Sequence, residues 1–188
     1  MEKDTFLPAD YSKPSGESHY FKFEEGDNRF RILSSALVGW EDWIEETIEG
    51  KSVRKPVRFR EEPEAKELFD FSKPAKHFWA FVVYDYTDES LKIMEITQAS
   101  IRNAIYDLHA DANWGDPRGY DINVKRTGEK METRYSVMPS PPKEVSKEIK
   151  DEYILSNINL EALFDGADPF SNTDVENEKS EELEKVNF

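Results

Sequence analysis

Alternating apolar and polar positions recur along the chain and predict a series of short β-strands. Turn residues separate the strand-like stretches, which lie at residues 19–23, 28–33, 38–44, 53–60, 76–86, 91–96, 120–126 and 133–138. Pro56 lacks a backbone N–H, so the fourth stretch is expected at a sheet edge. Residues 76–86 give the strongest pattern, and residues 91–96 are expected to pair with them as a hairpin.

The periodicity changes to a helical one after residue 96. Ile101, Ile105 and Leu108 recur at helical spacing, and the Thr97 side chain can cap a helix that ends near Ala110. Strands and helices do not alternate, which excludes a doubly wound nucleotide-binding fold and favours a small β-barrel or sandwich. We predict a mainly β chain: an OB-fold-like five-stranded barrel with an inserted helix, an extra C-terminal helical segment and a disordered acidic tail.

The chain of 188 residues fits one domain with flexible ends. Polar residues with Pro8, Pro14 and Gly16 predict a flexible N-terminal arm over residues 1–18, and the domain itself is expected to span residues 19–164. Residues 165–188 form the acidic tail, with eight acidic and two basic residues and a terminal Phe188.

Composition narrows the function. The net charge is −15, of which the tail supplies −6, and the remaining −9 argues against a simple phosphate-binding domain. The absence of cysteine excludes disulfides and thiolate sites and fits a reducing cytoplasm. No apolar run approaches the roughly 18 residues of a membrane span, so we expect a cytoplasmic protein without a membrane partner.

Signatures of catalysis are sparse. His19, His77 and His109 lie far apart in sequence, and neither a glycine-rich phosphate loop nor a nucleophile elbow is present. We therefore expect a non-enzymatic protein without cofactor or metal. A nuclease or nucleotide hydrolase remains the enzymatic alternative, and it would need a metal held by carboxylates.

Basic and aromatic residues concentrate in the strands. Residues 51–60 hold five basic residues and no acidic one, a stripe that could follow a phosphate backbone or simply be solvated strand edge. Along residues 76–86, His77, Trp79, Phe81 and Val83 share one face, whereas Phe78, Ala80, Val82, Tyr84 and Tyr86 share the other. Either one face exposes rings on which unpaired bases can stack, or extra segments bury both faces. Trp79 is favoured as a core residue and Trp40 as a stacking residue.

Several stretches resemble phage-encoded single-stranded-DNA-binding proteins of the OB-fold type. They are FLPADY, HYFKFEEGDNRFRIL, SSALVGWEDW, KHFWAFVVYDY, KIMEITQASI and WGDPRGYDINVKRTGEKMETRYSVMPSPP, and together they cover roughly residues 5–165. The resemblance implies an OB barrel that binds and protects single-stranded DNA with little sequence preference during replication, recombination or repair. The acidic body departs from this pattern, and the zinc that cysteines hold in some such proteins has no ligands here.

The resemblance also implies where DNA and partners bind. Residues 34–43 and the basic strand after them would line the DNA groove; the candidates are Trp40, Lys55, Arg58, His77, Trp79 and Arg126. The acidic tail would recruit replication proteins such as a polymerase, helicase or primase, with Phe170 and Phe188 as apolar anchors. The competing interpretation is an acidic DNA mimic that blocks a host DNA-binding protein, which the net charge of −15 supports.

Overall fold

A computed structural model describes residues 18–171, and within them the protein is mainly β, as the sequence predicts. In chain order the elements are β1 (Gly26–Ile32), β2 (Leu37–Ile48), β3 (Lys51–Phe59), β4 (Lys76–Asp85), β5 (Ser90–Ile96), α1 (Ala99–Ala110), β6 (Asp121–Thr127), β7 (Arg134–Pro139) and α2 (Lys147–Ser156). Short 3-10 helices lie at Ala65–Glu67, Pro117–Gly119, Lys130–Glu132 and Leu160–Asp165.

All seven strands join one antiparallel sheet. Its order is β3-β2-β4-β1-β6-β7, with β5 paired to the second edge of β4. Five of these strands, in the order β5-β4-β1-β6-β7, form an OB-like arrangement with α1 inserted between β5 and β6, as predicted. The β2–β3 hairpin is inserted between β1 and β4, which explains why seven strands are present where five were predicted. The described ladders leave the sheet open, and α1 packs against both β5 and β7.

Strand β4 is the centre of the sheet because it pairs along both edges. One edge follows β5 from Trp79 to Asp85, which confirms the predicted hairpin. The other edge is divided: its first half pairs with β2 and its second half with β1. Beyond Glu41 the β2–β3 hairpin leaves β4 and continues as a two-stranded arm, with β3 at the sheet edge as Pro56 requires.

The two faces of β4 pack into different cores. On the inner face, Phe81 and Val83 join a cluster closed by α1, with Phe30, Ile32, Met94, Ile96, Ile101, Ile105, Tyr120, Ile122 and Val124. On the outer face, Phe78 and Ala80 join a smaller cluster with Ile93 and Leu163. Phe78, Phe81, Val82 and Val83 are at most 2% exposed, so at the centre of β4 both faces are buried.

The outer cluster is covered by residues 157–171, which we call the C-terminal strap. Its 3-10 helix brings Leu163 and the Phe164 ring onto the sheet over Gly39. A Cβ at Gly39 would lie 2.9 Å from the Phe164 ring and 2.7 Å from the Phe59 carbonyl oxygen, so only glycine admits the ring this closely. The Arg60 guanidinium stacks over Phe164 at 4.3 Å from the ring centroid.

The strap corrects the predicted start of the tail at residue 165. The described chain packs against the body as far as Phe170, whose ring lies 4.3 Å from the His19 ring, measured between centroids. Acidic residues at positions 165 and 168 hide this in the sequence, because burial is decided by the apolar side chains between and beyond them. Residues 1–17 and 172–188, which include most of the predicted arm and tail, lie outside the described residues.

Smaller differences reflect hydrogen bonding at element ends. Residues 19–23 form a single parallel bridge to β5 rather than a strand, through bonds of 2.8 Å between Ile93 and both His19 and Phe21. Helix α1 begins two residues later than Thr97 predicts, with Gln98 at its N-cap. Helix α2 begins at Lys147 because Ser146 supplies its N-cap: the Ser146 hydroxyl accepts a hydrogen bond from the Ile149 N–H.

Candidate nucleic-acid interface

Three of the predicted DNA-binding residues lie together on the inner side of the sheet. Trp40 of β2 sits opposite His77 of β4, and their rings are 4.9 Å apart between centroids with a 47° tilt. The His77 Nδ1 lies 2.9 Å from the Gly39 carbonyl oxygen. A carbonyl only accepts, so Nδ1 carries the proton and the ring is fixed beside Trp40.

Trp79 continues this row one step along the same face of β4. It pairs with Val38, whose side chain is 48% exposed, and it is itself half-buried against the inner core. The row of Trp40, His77 and Trp79, which we call the ring row, therefore presents three partly exposed rings on one surface. The Trp79 ring packs on the core and still reaches the surface, so its position fits both of the roles between which the sequence left a choice.

The ring row leads to a cavity of about 270 Å³ where the inner core opens to solvent, which we call the mouth cavity. Apolar side chains of Ile32, Phe81 and Ile105 line it together with Trp79. Its rim is formed by Ser34, Ser35, Ala36, Tyr106, His109 and Arg118. Tyr106 is 59% exposed, and its position on the polar face of the predicted helix is the sequence signal that could have identified it.

Lys55 lies on the same face of the β2–β3 arm as the ring row, farther from the barrel. It sits opposite Ile44, an even-numbered position of β2 like Trp40. Its ammonium group is 2.7 Å from a Glu46 carboxylate oxygen, and both side chains are about half exposed. The cation is therefore accessible, but an adjacent carboxylate already offsets its charge.

Arg58 is not available on the ring-row face, contrary to the prediction. It sits opposite Glu41 rather than Trp40, so the alternation of the strand turns it to the outer face. There its guanidinium binds Glu95 at 3.0 and 2.6 Å and its side chain is 8% exposed. Burial, together with a hydrogen bond that the protonated Glu95 carboxyl donates to the nearby Glu41 carboxyl, raises the pKa of Glu95 to about 7.

A larger cavity of about 690 Å³ separates β3 from the strap on this outer face. Trp43 and Tyr20 line it, with Arg58 and Glu95. It is nevertheless a poor phosphate site, because its two basic lining residues are already paired. Arg58 binds Glu95 and lies near a second carboxylate, Glu41, and Lys55 is bound to Glu46.

Arg126 is also separated from the ring row. It pairs with Gly26 at the far end of the β1–β6 ladder, whereas the mouth cavity lies where that ladder begins, near Ile32 and Arg118. Its guanidinium donates to the Phe23 carbonyl oxygen at 3.0 Å. A DNA strand that lies along the ring row would have to cross the sheet to reach Arg126.

The basic stretch at residues 51–60 is largely neutralised by acidic residues outside it, which come from β2, β5 and the strap. Arg54 pairs with Glu45 at 3.6 Å, and Arg60 pairs with Glu161 of the strap at 2.5 Å. Lys55 and Arg58 are bound as described above. Counting charges within residues 51–60 misses all of these partners. Those on β2 could still have been predicted, because β2 is the facing strand of the same hairpin.

The described residues offer little for other chemistry. Within residues 18–171, no group of three or more histidine, aspartate or glutamate side chains is arranged to hold a metal ion. Over the same residues, no helix is both long enough and apolar enough to span a membrane.

Comparison with known proteins yields one informative similarity. The chain is 27% identical, over 139 residues, to a protein of Escherichia phage T5 named "Probable ssDNA-binding protein". The match covers 63% of this chain and 53% of the phage protein, so the chain spans about half the length of the curated relative it matches. This similarity confirms the resemblance predicted from the sequence motifs. No protein family matches the chain, and no solved structure matches it.

Proposed function

We propose that this protein binds single-stranded DNA without catalysing a reaction on it, and that the strand lies along the ring row. The observation that carries the proposal is three partly exposed rings, Trp40, His77 and Trp79, aligned on one surface. OB folds commonly bind ligands on the face formed by their second and third strands. Here β4 and β5 take those positions, and the strap covers their outer face. The similarity to the phage T5 protein supports the same ligand.

Stacking, rather than charge, would supply most of the affinity. A base stacked on an aromatic side chain contributes about 1–3 kcal/mol. Phosphate binding instead depends on unpaired cations, which neutralise phosphates and release the counterions condensed on the DNA. Two cations on this side of the sheet, Lys55 and Arg118, are each bound to a carboxylate. We therefore expect little sequence preference and a shallow dependence of affinity on salt.

A comparison of single and double strands tests this mode of binding. Fluorescence anisotropy with labelled oligonucleotides of matched length should show clear preference for the single strand, because a duplex hides the base faces. The logarithm of the association constant for the single strand should fall by less than about two units per tenfold increase in salt concentration, as expected for only a few phosphate contacts. Equal affinity for single strands and duplexes would rule out binding through stacked bases.

We further propose roles in phage replication, recombination or repair, with the acidic tail recruiting a polymerase, helicase or primase. Phe170 packs against His19 and the outer cluster, which leaves Phe188 as the better candidate anchor for a partner. Residues 172–188 carry six acidic and two basic residues, so their removal should strengthen DNA binding at low salt. Truncation after Ser171 and removal of Phe188 alone separate the two effects. Recruitment that survives loss of Phe188 would refute its role.

One observation favours a second candidate function, the acidic DNA mimic. Ion pairs already occupy four of the five basic residues in residues 51–60, so the surface offers few cations to a nucleic acid. A mimic would bind no DNA, with or without residues 172–188. Failure of both forms to bind single strands at low salt would therefore favour the mimic.

A further inference from the structure

The mouth cavity has the chemistry of a site for one planar, partly apolar ring. Its floor is formed by apolar side chains of the inner core, and two rings, Trp79 and Tyr106, contribute to its walls. It adjoins the ring row directly, because Trp79 belongs to both. This inference rests on the proposed binding of single-stranded DNA and concerns where one base of that strand goes.

The rim supplies a fixed hydrogen-bond donor. The Asp116 carboxylate accepts from Arg118 Nε at 3.0 and 3.1 Å and from Nη2 at 2.5 Å. The same hydrogen bonds hold the pKa of Asp116 down to about 2, so the pair stays charged and aligned. The remaining nitrogen, Nη1, lies 3.4 Å from the Ser35 hydroxyl, at the rim of the cavity.

The charge of this rim selects the kind of ligand group. Asp116 balances the charge of Arg118, so the rim attracts a phosphate weakly. A neutral carbonyl oxygen, however, can accept from Nη1 and from the Ser35 hydroxyl without displacing Asp116. An apolar floor, aromatic walls and a donor at the edge together fit a nucleobase that carries a carbonyl group.

We propose that the mouth cavity binds one carbonyl-bearing base of the DNA strand, turned out of the ring row toward the inner core. The ring lies against Trp79, and a ring carbonyl accepts a hydrogen bond from Arg118 Nη1. This site anchors the strand, and the ring row stacks the bases that follow it.

Filling the cavity tests the proposal. Ala36 lines the cavity and is exposed, so Ala36→Phe places a ring in it without touching Trp40 or His77. Ala65→Phe, at an exposed alanine of the 3-10 helix between β3 and β4, is the matched control. We expect Ala36→Phe to weaken binding of a short oligo(dT) strand by about fivefold to a hundredfold, the loss of one stacked base, and Ala65→Phe to change it little. Unchanged oligo(dT) binding by a folded Ala36→Phe variant would overturn the proposal.

An all-abasic strand of the same length separates this site from the proposed function. Ala36→Phe should leave its binding unchanged, because that strand has no base to insert. Equal losses for both strands would show that the variant acts on the backbone path instead. If wild-type protein binds neither strand, the proposed function itself fails.

Photocrosslinking gives an answer that does not depend on the variant's folding. Oligo(dT) carrying single 5-iodouracil substitutions should crosslink wild-type protein at Trp79 or Tyr106, identified by mass spectrometry. Crosslinks confined to Trp43 or Tyr20, which line the outer cavity, would contradict the proposal.

Discussion

The two faces of β4 carry similar side chains but lie in different environments. Phe78 on the outer face is fully buried beneath the strap, whereas the adjacent His77, on the inner side, stays partly exposed beside Trp40. The pleat of the strand assigns each residue to a face, but a segment more than 80 residues later decides which face is covered. The outer face thereby becomes part of the core, as the centre of the inner face already is. The ring row, on the inner face, is left for a ligand.

Removing one ring from each face should give the largest contrast. Phe78→Ala leaves a cavity between the sheet and the strap and should lower the free energy of unfolding by about 3–5 kcal/mol. His77→Ala removes one partly exposed ring and one hydrogen bond and should cost about 1 kcal/mol. Urea denaturation of both variants measures the difference. Similar losses would show that the strap does not make the outer face a core.

The buried carboxyls of the outer face should make stability depend on pH. Burial raises the pKa of Glu95 from 4.5 to about 7, so the folded protein holds this proton more tightly than the unfolded chain. The stabilisation is present below pH 4.5 and is lost as the pH rises toward about 7. At about 1.4 kcal/mol per unit of pKa, the loss is about 3 kcal/mol.

Glu95→Gln removes this titration and isolates its effect. The difference in unfolding free energy between the variant and the wild type should move in the variant's favour between about pH 5 and pH 8. Urea denaturation at both pH values measures it. Parallel pH profiles for the two proteins would mean that Glu95 does not hold a proton in the folded state.

Local sequence predicted the strands well because their alternation and turn residues are local signals. The β4–β5 and β6–β7 hairpins and the edge position of β3 follow from those patterns. The ring row also follows in part, since Trp40, His77 and Trp79 share a strand parity that the ladder between β2 and β4 aligns. The sequence did not predict that the β2–β3 hairpin is inserted between β1 and β4, because a strand's pairing partner can lie far away in the sequence.

The charged part of the site was predicted less well. The five basic residues at 51–60 were counted together, but a strand turns alternate residues to opposite faces, and this places Lys55 and Arg58 apart. Lys55 finds its carboxylate partner on the facing strand β2, whereas the partners of Arg58 and Arg60 come from β5 and the strap, which only the folded chain brings near them. Arg126, which the resemblance suggested as a further DNA-binding residue, lies apart from them at the far end of the β1–β6 ladder.

The most direct test of the account compares two tryptophans on one strand. Trp40 belongs to the ring row, whereas Trp43 is turned to the outer face, where its indole donates to Glu41 at 3.1 Å. Anisotropy titrations with single-stranded DNA should show that Trp40→Ala loses about 1–3 kcal/mol of binding free energy, roughly fivefold to a hundredfold in affinity. Trp43→Ala should bind within about twofold of the wild type. A larger loss for Trp43→Ala than for Trp40→Ala would place the DNA on the outer face and contradict the account.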